Sequence, residues 1–155
     1  MFRWFQPTNE KLIEAIKAKN EAEAQKLITK MDITELSKAN NGETALILAA
    51  WKGLGNVCLQ LIPKMTDQAI TTITRTYGET ALTLAARKGL GDVCLQLISK
   101  MTDQAINHVN KNGDTALSLA TKNGFKNICD LLTNKKDNLA NKSDTEKNKK
   151  NNNRA

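Results

Sequence analysis

The chain has 155 residues, a formal net charge of +7 and an apolar content of 40%, enough for one domain with a moderate core. Three cysteines without a close pair argue against a disulfide framework and fit a reducing compartment, so a cytoplasmic location is expected. No apolar run approaches the length of a membrane-spanning helix, and MFRWFQPT at the start is too short and too interrupted for a secretory leader.

The charge is uneven. Residues 133–155 hold seven Lys/Arg against three Asp/Glu, so more than half of the excess sits in the last 23 residues. At the other end, Phe2, Trp4 and Phe5 are three of the six aromatics. They suit an apolar cover over the open end of the fold, or else a partner or interfacial contact.

From Asn9 to Met31 the spacing is helical. Leu12, Ile13 and Ile16 form one apolar stripe, and Ala24, Leu27, Ile28 and Met31 form a second. Asn9 is placed to cap the first helix and Asn20 to sit at the turn. Glu10, Glu14, Lys17, Glu21 and Glu23 make a polar outer face, as an end cap requires.

Two long stretches follow that are nearly the same. Gly42 to Ile70 reads GETALILAAWKGLGNVCLQLIPKMTDQAI, and Gly78 to Ile106 reads GETALTLAARKGLGDVCLQLISKMTDQAI. Of 29 aligned positions 25 are identical; the differences are Ile47/Thr83, Trp51/Arg87, Asn56/Asp92 and Pro63/Ser99. A third copy begins at Gly113 as GDTALSLATKNGFKNICDLL. Repeats of this period indicate a stacked, solenoidal architecture.

Within each copy the punctuation is local. Gly42 and Gly78 open a tight turn, and Thr44 and Thr80 stand where an N-cap belongs. A first helix (helix A) is expected to run to Lys52 and Lys88, with Ala49-Ala50 and Ala85-Ala86 allowing close helix approach. Gly53 and Gly89 then end it in a left-handed conformation. A second helix (helix B) carries Val93, Cys94, Leu97, Ile98 and Met101 at helical spacing, with Asp92 near its positive end. Pro63 is expected to tighten or end the first helix B. Thr66 and Thr102 cap a further short turn. In the third copy helix B, about 125–134, is more polar, and Phe125 takes the place of Leu54 and Leu90. Beyond residue 134 almost no apolar residue remains but Leu139, so disorder is expected there.

These residues resemble the ankyrin repeat, whose pattern is Gly-x-Thr-Pro-Leu-His-Leu-Ala-Ala-x-x-Gly followed by a Val/Leu-rich helix. Gly42 to Gly53, Gly78 to Gly89 and Gly113 to Gly124 match it in register. The Pro positions hold Ala45, Ala81 and Ala116, and the His positions hold Ile47, Thr83 and Ser118, which reduces the family's hydrogen bonding between repeats. The period is 36 then 35, against about 33 in the family. This longer variety is similar to ankyrin repeats of bacteria that live inside eukaryotic cells.

The resemblance implies an all-α solenoid of paired antiparallel helices, with a capping helix pair and about three full repeats. The repeat domain is expected over 1–134, divided as 8–38, 39–74, 75–109 and 110–134, with 135–155 as the tail. It also implies a monomeric protein-binding module without enzymatic activity and without a cofactor. Such a module could be delivered into a host cell to act on a host protein. In this fold partners meet the turn tips and the exposed end of helix A on the concave face. By position these are Asn40, Asn41 and Glu43; Thr76, Tyr77 and Glu79; Lys111, Asn112 and Asp114; and then Trp51, Lys52, Arg87, Lys88, Thr121 and Lys122.

Lys52, Lys88 and Lys122 read as a basic row beside an acidic row of Glu43, Glu79 and Asp114. Trp51 and Tyr77 add nothing to a stack, and Trp, Tyr and Arg are common interface anchors. Trp51, Tyr77 and Arg87 are therefore the expected centre of a partner-binding site. Cys58, Cys94 and Cys129 recur once per repeat and read as core, as do Met31, Met65 and Met101. His108 lies in a connecting stretch with no nucleophile beside it, and no metal, phosphate-loop or nucleophile-elbow motif occurs. The competing function is binding of nucleic acid or an acidic surface by the Lys-rich tail, which lacks interleaved aromatics.

Overall fold

The computed structural model describes residues 7–152, so the expected cover by Phe2, Trp4 and Phe5 lies outside the described residues. The described chain is a row of helix pairs. Helices α1 (Asn9–Lys17) and α2 (Glu21–Lys30) form the first pair, and α3 (Ile33–Leu36) is a single turn behind it. A two-residue hairpin, β1 (Ala39–Asn40) with β2 (Glu43–Thr44), leads into α4 (Ala45–Lys52) and α5 (Gly55–Leu61). A 3₁₀ turn over Ile62–Lys64 and the short α6 (Asp67–Ile70) follow. The pattern repeats as α7 (Ala81–Lys88), α8 (Gly91–Lys100) and α9 (Asp103–Ile106), and ends with α10 (Ala116–Lys122) and α11 (Lys126–Asn152).

Helix starts and stops follow local chemistry. Thr44, Thr80 and Thr115 each hold extended backbone and accept from the amide three residues on, which satisfies an otherwise orphaned donor. Gly53 and Gly89 close α4 and α7 at φ +78° in the left-handed region, where a Cβ is strained. The hairpin turn has positive φ at both Asn41 (55°) and Gly42 (83°), the primed geometry that Asn-Gly favours. Pro63 lies in the 3₁₀ turn that shortens α5 relative to α8, since it donates no amide hydrogen bond.

The first helix differs from its expected cap. Thr8 caps α1, accepting from the Lys11 amide, and Asn9 is instead buried inside it. The Asn9 side-chain amide donates to the Glu35 carbonyl (2.9 Å) and accepts from Asn40 (3.0 Å), tying α1 to α3 and to the hairpin. Asn20 does cap α2, accepting from the Glu23 amide.

The stack is held by like helices packing on like. Helix α1 touches α4, α4 touches α7 and α7 touches α10; α2, α5, α8 and α11 form the second layer. Ala45, Ala49, Ala50, Ala81, Ala85, Ala86, Ala116 and Ala120 are all fully buried, so the A-layer helices approach with little between them. Leu46, Leu82, Leu61, Leu97 and Leu132 fill the space between the layers, each worth about 2 kcal/mol of apolar burial. Met31, Met65 and Met101 are buried at equivalent turns, and Cys58 and Cys94 are fully buried in the B layer. Burial pushes both thiols up to about 12.

The tail is where the fold departs from composition. It does not end near residue 134: α11 continues to Asn152. Lys135 and Lys142, seven residues apart and so on one face of the helix, both reach Asp103 at the start of α9 (3.3 and 3.6 Å). Leu139 and Ala140, on the same stretch, line an open groove with Val109 and Leu117 and stay exposed. The surface ion pairs with Asp103 tie the first part of the tail to the preceding repeat.

Two outcomes follow from this packing. Leu82→Ala should lower unfolding free energy by about 3 kcal/mol in urea titration, because it opens a cavity between the two layers. In the native protein an aromatic disulfide reagent should modify the partly buried Cys129 first and leave the fully buried Cys58 and Cys94 until the chain unfolds. A thiol ionises near 8.5 when unfolded. The two buried cysteines therefore contribute stability that is intact below that pH and is lost progressively towards pH 12.

Candidate functional site

Every candidate residue lies at a turn tip or at the end of helix α4, α7 or α10, and Trp51 and Tyr77, the exposed aromatics among the described residues, are brought together. Trp51, at the end of α4, is 52% exposed, and Tyr77, in the turn before α7, is 61% exposed. They wall one groove of about 230 Å³ between the first two full repeats. Its floor is aliphatic, built from Ile47, Leu48 and Leu84, each at least nine-tenths buried. Thr74, Glu43 and Glu79 complete the lining. Lys52 places its ammonium 4.8 Å from the Trp51 ring centroid, a cation–π contact.

Ile47 makes this groove possible. Its counterpart Thr83 uses its hydroxyl to complete a capping box, accepting from the Thr80 amide (2.9 Å) while Thr80 accepts from the Thr83 amide (3.1 Å). Ser118 does the same with Thr115 in the third copy. Ile47 has no hydroxyl, so α4 has only the Thr44 half of the box and places an aliphatic side chain in the groove floor instead.

The acidic row does not survive as a row. Glu43 is exposed, whereas Glu79 is 3% exposed and fully occupied. The Thr83 hydroxyl donates to one oxygen of Glu79 (2.6 Å), and Asn110 (3.0 Å) and Arg87 (2.5 Å) bind the other. Glu79 is therefore a structural hub rather than a surface carboxylate. Asp114 is three-quarters buried and pairs with Lys122 (3.2 Å) and Arg87 (3.6 Å). Arg87 accordingly spans Glu79 and Asp114, and it joins two repeats as well as facing solvent.

The basic row also needs correcting. Counting from each repeat's first glycine, Lys122 aligns with Arg87 and Trp51, and Asn123 aligns with Lys88 and Lys52. Lys122 is engaged by Asp114, while Lys52 and Lys88 form no ion pair among the described residues. Asn123 turns back to donate to the Ala86 carbonyl (2.6 Å), linking α10 to α7.

Sequence reasoning missed two supporting residues. His108 Nε2 donates to the Gly78 carbonyl (2.9 Å), and Asn110 accepts from the Asn112 and Asp114 amides (both 2.9 Å) while holding Glu79. His108 closes the connecting stretch onto the turn that opens its own repeat, and Asn110 binds across to the preceding repeat. Their only sequence signal was a polar residue at a fixed distance before Gly113. Among the described residues no cluster of His, Cys, Asp and Glu could hold a metal ion, and no helix is long and apolar enough to cross a membrane.

Helix pairs stacked in register, each opened by a threonine-capped helix after a glycine turn, define a helical repeat protein. The chain belongs to the ankyrin-repeat family: the family model described as ankyrin repeats in three copies matches residues 68–151. Among curated proteins it is similar to a Rickettsia felis protein named for ankyrin repeats, 64% identical over 72 residues, or 46% of this chain and 23% of that protein. A similarly named Rickettsia bellii protein is 66% identical over 62 residues, 39% of this chain and 11% of that one. The matched part thus spans less than a quarter of the length of either relative.

The two carboxylates should separate sharply in a stability measurement. Glu79→Ala removes a buried acceptor from three partners and should lose about 3 kcal/mol in denaturant titration. Glu43→Ala, at an exposed position, should stay within about 0.5 kcal/mol of the parent.

Proposed function

We propose that this chain is a non-enzymatic interaction module that binds a partner protein through the turn tips and helix ends of its repeats, centred on Trp51 and Tyr77. Ankyrin repeats are in general protein-interaction modules, and the coarser statement rests on family membership. The observation that carries the finer reading is the groove itself. Two large aromatics stand half or more exposed over a buried aliphatic floor, where neither contributes to the stack. Arg87 belongs to the site as the residue that fixes Glu79 along its edge, and Lys52 and Lys88 are the helix-end cations that form no ion pair among the described residues.

The relatives come from Rickettsia, bacteria that live inside host cells, which supports a host protein as the partner and action as a delivered effector. The repeat unit is proposed to cover residues up to about 134, with the remainder of α11 as an appended strap. Nucleic-acid binding through that strap is the weaker reading, because Lys135 and Lys142 are both engaged by Asp103.

Affinity capture from host-cell lysate, comparing the parent with the Trp51→Ala, Tyr77→Ala double variant, tests the site. Loss of specific partners from a variant that keeps the parent's helical circular dichroism is expected. Retention of every partner by the double variant would refute it.

A further inference from the structure

The three full repeats carry an acidic residue directly after the first glycine, Glu43, Glu79 and Asp114, and eight positions later they carry Trp51, Arg87 and Lys122. In the second repeat this pair is an ion pair, Glu79 with Arg87 (2.5 Å). In the third it is again an ion pair, Asp114 with Lys122 (3.2 Å). In the first repeat the cation is replaced by Trp51, and Glu43 forms no ion pair among the described residues. The same repeat is the one with an open groove, and Glu43 lines it with Trp51 and Tyr77.

We infer that the groove takes a basic side chain from the partner, an arginine foremost, whose cation occupies at Glu43 the place that Arg87 and Lys122 fill internally in the next two repeats. This rests on the reading of the groove as the partner site and names what enters it. The lining suits such a side chain along its whole length. The aliphatic stem lies on Ile47, Leu48 and Leu84, the Trp51 and Tyr77 rings flank the planar guanidinium, and the carboxylate of Glu43 receives it. The Lys52 ammonium already over Trp51 shows that this ring accepts a cation. Lys52 is thus an internal competitor. An apolar anchor would make no use of Glu43, which has no ion-pair partner among the described residues, and an acidic side chain would oppose Glu43.

The test uses the full chain and fluorescently labelled, acetylated pentapeptides, Gly-Ser-X-Ser-Gly with X as Arg, Lys, Gln or Glu, followed by anisotropy at low ionic strength. The Arg peptide should bind about tenfold more tightly than the Gln peptide, with Lys between them and Glu weakest. Glu43→Gln and Trp51→Arg should each abolish that preference, the second by supplying an internal cation as the second repeat does. Lys52→Gln should tighten the Arg peptide a few-fold. Glu43 and Trp51 are exposed, so the variants should fold, and thermal melts matching the parent are the check. Equal binding of the Glu and Arg peptides, an Arg preference that survives Glu43→Gln, or no binding of the Arg peptide at about 5 mM overturns the inference. If partner capture is lost on removing Trp51 and Tyr77 while the peptides show no basic preference, only this inference fails. If capture is unchanged, the interaction site itself is wrong.

Discussion

A single repeat of this chain cannot cover its own apolar surface, and the rest of the structure depends on that fact. Helix α7 has six consecutive buried residues, Ala81 to Ala86, so it must be flanked on both sides. Alanine facing alanine lets α4, α7 and α10 come close enough to exclude water. The ends are then handled differently. At the start, α1 and α2 turn charged residues outward. At the other end, α11 runs past its own repeat and is pinned to the previous one through Asp103.

The same constraint explains why the functional information is sparse. Positions that face a neighbour are held by packing, which accounts for most identities between the twin repeats. What remains variable is the helix-A end and the third position of the helix. Changing Thr83 to its counterpart Ile47 exchanges a hydroxyl that bonds the cap for an aliphatic floor. Changing Arg87 to its counterpart Trp51 removes a cation from one carboxylate and puts an aromatic wall in its place. Two of the four differences between the copies therefore produce the groove, and they act together only because Tyr77 arrives from the intervening turn.

Much of the fold was legible because its signals are short in sequence. A threonine cap acts on an amide three residues away, and a glycine ends a helix by its own φ, so Thr44, Thr80, Gly53 and Gly89 could be placed without any tertiary knowledge. Asn9 could not. Its role depends on Glu35 and Asn40, 26 and 31 residues away, and the cap passes to Thr8. Glu79 likewise reads as an exposed acid by position and is buried because Asn110, 31 residues on, reaches back to it. The tail reads as unable to fold alone, whereas α11 continues through it and meets Asp103 of the preceding repeat, 32 residues before Lys135.

Sequence by itself determined the repeat, its family, the starts and stops of the helices in the two central repeats and the candidacy of Trp51, Tyr77 and Arg87, since each of these is written in local or periodic pattern. Only the tertiary structure decided which carboxylates are spent and which is not. Glu43, Glu79 and Asp114 are chemically alike along the chain. They are told apart by what stacks against them: a guanidinium for Glu79, an ammonium for Asp114, and an open, aromatic-walled groove for Glu43. Charge pairing falls off with distance and solvation, so it belongs to the assembled stack and not to the residue.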